Sequence, residues 1–398
     1  MTERAANPQA RASAWSGAVL AGLFVLIPFA GWGGPLAFAP LVGLAGLLTL
    51  RGLRVADTDR PAAIALVVIL AWSLGSMAWS PYTPTDLEGA TAFKLIVQAA
   101  LYWAVVCAAR DASPPTRTAA LRILAWGLAA LGLLLSVETA TGALVYRTLR
   151  EAMGDPIRPD LAIRNVAQAG FVLALLTPAG ALAALRTGQS RWLIAPMVAG
   201  SLGVALLFAT DAPAVALAAA ALAGLTVHQW PRIGPRVLAA VTGVFFLSAP
   251  ALVWLAQKAG AYALVEANVP TSWALRMGYW RRAVAWIGDH PSRGWGLDAS
   301  RMFSPGIKLH PHDAALQLWL ELGLIGAMAA AVFWASILWG LGHKRRDPAR
   351  AVGAATAAAY LTYSAFSFGV WQEWFLAIGA LAAAACVLAA RQPAARAG

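Results

Sequence analysis

Charged residues are scarce in this sequence, and their scarcity excludes the soluble classes of protein. Asp, Glu, Lys and Arg make up 12% of the 398 residues, whereas 60% are hydrophobic. An ordinary soluble domain is about 25% charged. The apolar residues fall in blocks of roughly 17 or more, long enough to cross a ~30 Å hydrocarbon core as helices. The sequence therefore predicts an all-α polytopic membrane protein.

Cysteine and nucleotide-binding motifs are also lacking. Cys107 and Cys386 are the only two cysteines, and both lie inside predicted spans, which argues against a disulfide framework and favours small buried thiols. No Walker loop, Rossmann fingerprint or catalytic triad appears. The net charge of +12 is interpreted as a membrane topology signal, so no nucleic-acid partner is expected.

The apolar blocks predict about twelve transmembrane helices. Their spans are 14–30, 34–50, 61–79, 93–109, 119–139, 165–185, 192–209, 213–228, 237–257, 314–340, 351–368 and 373–390. The first block follows Arg4 and Arg11 and shows no convincing cleavage site, so it is interpreted as a retained helix. We divide the chain into 1–257 with helices 1–9, 258–313 as the main periplasmic loop, and 314–398 with helices 10–12 and a cytoplasmic tail.

The distribution of positive charge predicts the orientation. Five short basic connections (51–60, 110–117, 186–191, 231–236 and 343–350), both termini and Arg122 near the start of the fifth span hold 18 of the 30 Lys and Arg. Three connections on the other side hold none, so we expect a bacterial inner-membrane protein with both termini cytoplasmic. Apart from Lys94, the remaining basic residues lie in 146–164, which has four, and 258–313, which has seven. They indicate either an anion-binding site at the outer surface or ordinary solvated loop charge.

The main loop begins with a predicted interfacial helix. Thr271 or Ser272, after Pro270, is expected to cap it. An apolar face recurs at helical spacing over Trp273, Met277, Trp280, Val284 and Ile287. Arg276, expected beside Tyr279 and Trp280, could bind a phosphate or only meet lipid headgroups.

The end of the loop, His310-Pro311-His312-Asp313, carries the sharpest motif. Asp313 is a predicted helix cap, and His312 is well placed to accept a proton from a hydroxyl. Asp313, Gln317 and Glu321 are each four residues apart, so they share one face of the predicted helix. Glu321 should point into the bundle and pair with another group. A metal site is disfavoured because no further Cys or carboxylate cluster completes a coordination sphere.

Two pairs of glycines accompany this motif. Gly323 and Gly326 are expected to let another helix approach closely. The segment His290-Pro291-Ser292-Arg293-Gly294-Trp295-Gly296 predicts a tight structural turn.

These motifs together resemble the O-antigen ligase and polymerase family of bacterial membrane glycosyltransferases. That family has a His and a neutral residue, nine residues, then Gly-x-x-Gly at the end of its main periplasmic loop. Here His312-Asp313 is followed by nine residues and by Gly323-Leu324-Ile325-Gly326. The upstream Ser272-x-x-x-Arg276-x-x-x-Trp280 and the His290-Pro291 turn match in the same order. The matching stretch runs from Ser272 to Ala327.

The resemblance implies a GT-C-like fold and a metal-independent, inverting O-antigen ligase of lipopolysaccharide biosynthesis, without cofactors. An undecaprenyl-pyrophosphate-linked glycan would be the donor and a lipid A-core hydroxyl the acceptor, at a periplasmic active site. His312 matches the family's base and Arg276 its loop arginine. Arg164, or else Arg158, matches a second pyrophosphate-binding arginine. His310, Asp313, Glu321 and Trp280 would support the site. Asp313 departs from the family's neutral residue and would either cap the helix or orient His312.

Other functions stay open at this point. An O-antigen or exopolysaccharide polymerase would use a second lipid-linked glycan as acceptor, and a protein oligosaccharyltransferase is a third enzyme of similar form. A lipid or polysaccharide transporter that catalyses nothing is the alternative from another class. Transporters usually contain internal repeats, and no convincing repeat is found here.

Overall fold

A computed structural model describes residues 8–86, 89–266 and 268–393. The predicted segment around Arg4 and the end of the predicted tail, 394–398, lie outside the described residues. The α-helices are α1 (Pro8–Gly33), α2 (Phe38–Thr49), α3 (Arg60–Ser76), α4 (Thr91–Asp111), α5 (Pro114–Thr141), α6 (Leu144–Ala152), α7 (Pro159–Arg186), α8 (Ile194–Leu207), α9 (Ala212–Gln229), α10 (Gly234–Lys258), α11 (Ala261–Glu266), α12 (Thr271–Ile287), α13 (Ala314–Gly340), α14 (Pro348–Phe366) and α15 (Glu373–Arg391).

A helix stands at each of the twelve predicted spans. Within the described residues, 10 helical segments are long and apolar enough to cross a membrane. The other two predicted spans fall on a shorter apolar helix, Arg191–Leu207, and on α14. Helix α14 is rich in alanine and carries Thr, Ser and Tyr, which lowers its hydropathy. The chain is thus an all-helical multi-pass membrane protein, and the count of about twelve spans stays a prediction.

The bundle is built around α7. The most apolar window of this helix is 78% buried, compared with 17% for α10. One apolar cluster surrounds α7 and includes α1, α5 and α15. A second cluster surrounds α13 and includes α3, α10 and α12. Burial of these apolar side chains against one another leaves the polar groups for the two ends of the bundle.

The five predicted basic connections meet at one end of the bundle, which we call the basic end. Contacts across this end are Arg54 Nη2 to Asp111 at 2.6 Å, Arg186 Nη2 to Asp347 at 3.7 Å, Arg186 Nη1 to the Gln392 carbonyl at 2.7 Å, and the His343 amide to the Pro231 carbonyl at 3.0 Å. The prediction that these connections share one side therefore agrees with the helix arrangement.

The opposite end, which we call the loop end, consists of residues 77–86, 89–90, 142–158, 259–266, 268–313 and 367–372. The loop between α10 and α13 makes contacts with the other connections here. The Ser80 hydroxyl donates to the Leu297 carbonyl at 2.7 Å, and the Leu297 amide donates to Ser76 Oγ at 3.0 Å. These contacts hold the loop against the connection that follows α3.

Candidate active site

His312 is held in one orientation by backbone groups. Its φ of 58° is in the left-handed region, and its amide donates to Nδ1 of His310 at 3.1 Å. Its own ring Nδ1 lies 2.9 Å from the carbonyl oxygen of Ser367, at the end of α14. On one face the ring stacks on Tyr279, with the ring planes at 19°. Three separate segments thus fix the imidazole.

These contacts determine which nitrogen of His312 is basic. A carbonyl oxygen only accepts hydrogen bonds, so Nδ1 must carry the proton. In the neutral ring Nε2 is then the free acceptor, and no described residue hydrogen-bonds to it. Burial lowers the pKa of His312 and the nearby charge of Arg276 lowers it further, while the Ser367 carbonyl raises it. The imidazole is therefore uncharged and able to accept a proton at neutral pH.

Arg276 supplies positive charge beside the two histidines. Its guanidinium lies 5.4 Å from the ring centre of Trp273, one turn earlier on α12. It makes no ion pair with a described residue, and burial lowers its pKa. An arginine whose only stacking partner is an uncharged ring keeps its full charge for an anionic ligand.

Helix α12 is fastened to the histidine motif by its aromatic residues. The Trp280 indole donates to the Pro311 carbonyl at 3.0 Å, and Tyr279 stacks on His312. The predicted cap by Thr271 or Ser272 is wrong, because α12 begins at Thr271 and its N-cap is Pro270, with no side-chain hydrogen bond. The proline fixes the start of the helix through its own backbone geometry.

His310 supports His312 and remains neutral. Burial, together with the neighbouring His312 and two arginines, lowers its pKa to about 3. Because its Nδ1 accepts the His312 amide, its proton resides on Nε2, which lies 3.3 Å from the Gln372 carboxamide. The carboxamide oxygen of Gln372 is the group that can accept this proton.

Asp313 caps α13, as predicted. Its carboxylate accepts a hydrogen bond from the Leu316 amide at 2.9 Å, and burial raises its pKa to about 7. The alternative that Asp313 orients His312 is not what the structure contains, because the Ser367 carbonyl occupies that position on the imidazole. A carboxyl group that is partly protonated at neutral pH also adds less negative charge near Arg276 than a fully ionised one.

Glu321 joins three parts of the loop end. Its fully buried carboxylate accepts hydrogen bonds from the Asp298 amide at 2.9 Å, Ser300 Oγ at 2.6 Å, Gln317 Nε2 at 3.0 Å and Trp371 Nε1 at 2.6 Å. The predicted burial of Glu321 is confirmed, and its partners are neutral donors. The carboxylate thereby ties the main loop and the α14–α15 connection to α13.

A break in α13 receives the predicted turn. Gly323 has φ 65° inside the helix, which frees two backbone carbonyls from the helical pattern. The Leu320 carbonyl accepts a hydrogen bond from the Trp295 amide, and the Glu321 carbonyl accepts one from the Gly296 amide, each at 2.8 Å. A Cβ on Gly323 would lie 2.4 Å from the Ser292 carbonyl oxygen. The prediction that this glycine pair admits another helix is therefore wrong, since Gly323 admits the Pro291–Gly296 turn.

Gly326 also differs from the prediction. The atoms nearest to a Cβ built on it belong to Leu322 of the same helix, at 2.3 Å. The two glycines of the Gly-x-x-Gly motif thus have different roles, and only the first makes a close approach to another segment.

Arg158 and Arg164 lie at the start of α7. Arg158 is the N-cap of α7 and pairs with Asp160 at 3.0 Å, with 76% of its side chain exposed. Arg164 is exposed and makes no ion pair with a described residue. The structure brings neither of them into contact with Arg276 or His312, so their role in binding pyrophosphate stays a prediction.

Some residues of this region carried no readable signal in the sequence. The carbonyl of Ser367 acts through the backbone, and Trp371 and Gln372 lie in a connection without charge. Among the described residues no group of three or more His, Cys, Asp or Glu could hold a metal ion.

The helical bundle and the histidine–arginine site define a multi-pass membrane protein with acid–base residues gathered at one end. Residues 195–331 match a family model described as O-antigen ligase. A Rickettsia conorii protein with the provisional name polysaccharide ligase is 26% identical over 120 residues, which are 27% of this chain and 29% of that relative. These two findings confirm the resemblance to the O-antigen ligase family. The matched part of the relative is less than a third of its length.

Proposed function

We propose that this protein is a membrane glycosyltransferase of the O-antigen ligase type. It transfers a glycan from undecaprenyl pyrophosphate to an acceptor hydroxyl. The observation that carries the proposal is the pairing of an uncharged imidazole, with Nε2 free, and a half-buried arginine that has no carboxylate partner. A base and a cation are the two groups that displacement of a diphosphate by an alcohol requires.

The reaction follows from these two groups. The acceptor oxygen attacks the anomeric carbon, and the bond from that carbon to the pyrophosphate oxygen breaks with inversion. The hydroxyl proton passes to Nε2 of His312. The electron pair leaves with the pyrophosphate, whose growing charge is stabilised by Arg276. Since the pyrophosphate is already a good leaving group, the chemistry requires no metal and no nucleotide.

Arg164 and Arg158 are proposed as a second contact for the donor. Arg164 is exposed at the outer turn of α7 and carries an unneutralised charge, so it is the better candidate of the two. Arg158 is already paired with Asp160. The loop end would face the periplasm of a bacterial inner membrane, in agreement with the cationic basic end facing the cytoplasm.

Lipid A-core is the proposed acceptor, as in an O-antigen ligase. Glycan analysis of a deletion strain separates this from the related enzymes. Free lipid A-core together with accumulated long lipid-linked chains supports a ligase, whereas accumulated single repeat units support a polymerase. Unchanged lipopolysaccharide with unglycosylated protein would support an oligosaccharyltransferase.

The direct test is an assay with purified protein, a defined lipid-linked donor and candidate acceptors, in the presence of EDTA. We expect transfer by the unmodified protein, and a loss of about 10²–10⁴-fold in His312→Ala, because that is the usual contribution of a general base. His343→Ala, an exposed histidine at the basic end, serves as the matched control and should retain full activity. Full transfer by folded His312→Ala would refute the assigned role, and movement of the donor across the membrane without transfer would support a transporter.

A further inference from the structure

A cavity of about 490 Å³ lies next to the candidate site. It is bounded by the loop around residues 298–310, by the start of α2 and by the α14–α15 connection. His310 lines it, whereas Arg276 and His312 do not. The volume is within the ~300–1,000 Å³ of small-molecule sites. The cavity therefore offers a second binding space that borders His310 and does not include Arg276.

The charges of this cavity do not suit a diphosphate. Its ionised side chains are Asp298, Glu373 and Arg301. Arg301 is paired with Asp298 at 3.0 Å, and Glu373 is paired with Lys94 at 2.6 Å. His310 is uncharged, because burial lowers its pKa to about 3. Since the arginine of its wall is already paired with a carboxylate, the cavity offers a dianion no unpaired cation among its lining residues.

The uncharged part of the wall suits a sugar. Trp371 and Trp374 contribute indole rings, and Gln317 and Gln372 contribute carboxamides. Within the described residues, only one of the two polar atoms of the Gln372 carboxamide has a hydrogen-bond partner, His310, and the other is buried and unpartnered. A pyranose presents C–H groups that pack on aromatic rings and hydroxyls that donate to carboxylates and amides. Both kinds of complementary group are present here.

We propose that this cavity binds a sugar ring of the acceptor, so that its hydroxyl reaches His312 from the cavity wall at His310. The inference rests on the proposed function and names the substrate part that this space holds. The ring centres of His310 and His312 are 4.2 Å apart, which brings the cavity wall next to the base. Binding of the donor diphosphate at Arg276 and of the acceptor sugar in the cavity would bring the two substrates together beside one base.

The first test measures binding without activity. Leu36 lines the cavity and its side chain is 73% exposed, so Leu36→Cys provides a reactive thiol, while the native Cys107 is buried and Cys386 is half-buried. A delipidated core oligosaccharide should slow maleimide labelling of Leu36→Cys and leave Thr148→Cys, on exposed α6, unaffected. Protection by free donor repeat units alone would overturn the assignment to the acceptor, and no protection by either glycan would overturn the sugar site.

The second test uses the transfer assay. Leu36→Trp adds volume in the cavity, and we expect the acceptor KM to rise about tenfold, which corresponds to ~1.4 kcal/mol of binding, with the donor KM unchanged. Leu44→Trp, at an exposed position of α2 outside the cavity, is the matched control. An unchanged acceptor KM in Leu36→Trp would contradict the inference. Absence of transfer by the unmodified protein would instead contradict the proposed function. The labelling test still decides the sugar-binding inference, because it measures binding and requires no turnover.

Discussion

At the basic end of the bundle Arg54 and Arg186 contact carboxylates and helix carbonyls, whereas four arginines of the main loop lie over aromatic rings. One of these four, Arg301, is also paired with Asp298. Arg54 pairs with Asp111, and Arg186 donates to the carbonyls that end α15. The loop-end pairs are Arg276 over Trp273, Arg281 over Tyr262, Arg293 over Trp79 and Arg301 over Tyr82. A carboxylate neutralises an arginine, but an aromatic ring only positions it.

Two buried carboxylates near the loop end also differ in their partners from Asp111 at the basic end. Asp111 at the basic end is partly exposed and bonded to a cation. Glu321 and Glu138 at the loop end are fully buried and accept from neutral donors. At the basic end, Arg54 and Arg186 therefore hold the connections together, whereas at the loop end Arg276 is available for a ligand. The comparison can be tested by equivalent substitutions at the two ends.

The largest expected effect is on turnover. Arg276→Ala should lower the rate of glycan transfer by about 10²–10³-fold, the usual cost of removing one group that stabilises developing negative charge. Arg276→Lys should recover part of the rate, since it restores charge without the planar fork. Arg346→Ala at the basic end, where the side chain donates to Gln229 and to no other described residue, should retain the normal rate. Equal losses in the two alanine variants would contradict the contrast between the ends.

The next effect is on stability. Glu321→Ala should lower the free energy of unfolding by about 3 kcal/mol or more, because four buried donors lose their acceptor and each unsatisfied group costs about 1–3 kcal/mol. Asp111→Ala breaks a partly exposed ion pair and should cost only about 0.2–1 kcal/mol. Thermal unfolding in detergent measures both. A smaller loss in Glu321→Ala than in Asp111→Ala would show that the buried carboxylate does not hold the loop end together.

A third substitution tests the break in α13. Gly323→Ala places a side chain at φ 65°, with its Cβ 2.4 Å from the Ser292 carbonyl oxygen. The left-handed conformation alone costs about 1–2 kcal/mol, so we expect a clear loss of stability and displacement of the Pro291–Gly296 turn. Gly340→Ala, in the same helix with nothing within 4 Å, is the control and should unfold no earlier than the unmodified protein.

Much of the fold could be predicted from the sequence because membrane helices leave a strong local signal. Long apolar blocks predicted the helices, and the positions of Lys and Arg predicted which connections share an end. The roles of Asp313 as a cap and of Glu321 as a buried, hydrogen-bonded carboxylate also followed from local rules.

The remainder depended on contacts between distant segments. The Ser367 carbonyl that orients His312 lies 55 residues away and has no side-chain signature. A close approach of another segment to Gly323 was expected. The spacing of the two glycines does not indicate whether the approaching segment is a helix or a turn. The cap at Pro270 was missed because a proline provides no hydrogen bond to recognise. In each case a backbone group, and not a side-chain pattern, determines the geometry.

The smallest expected effect is a shift in pH dependence. The base must be neutral to act, and burial and Arg276 lower the pKa of His312 below its ordinary value of 6.5. The neutral form therefore persists to lower pH than in an ordinary histidine, so kcat/KM should fall only below pH 6.5 as the medium is acidified. In Arg276→Gln one of the lowering causes is absent, and the acid limb of the residual activity should move upward. Asp313→Asn retains a cap for α13 and should leave the acid limb in place. This variant distinguishes titration of His312 from titration of the Asp313 carboxyl, whose pKa is about 7. The opposite result would be an acid limb at or above pH 6.5 in the unmodified protein that Asp313→Asn abolishes. The titrating group would then be Asp313, and the pH profile would no longer support a neutral imidazole beside an available arginine at the loop end.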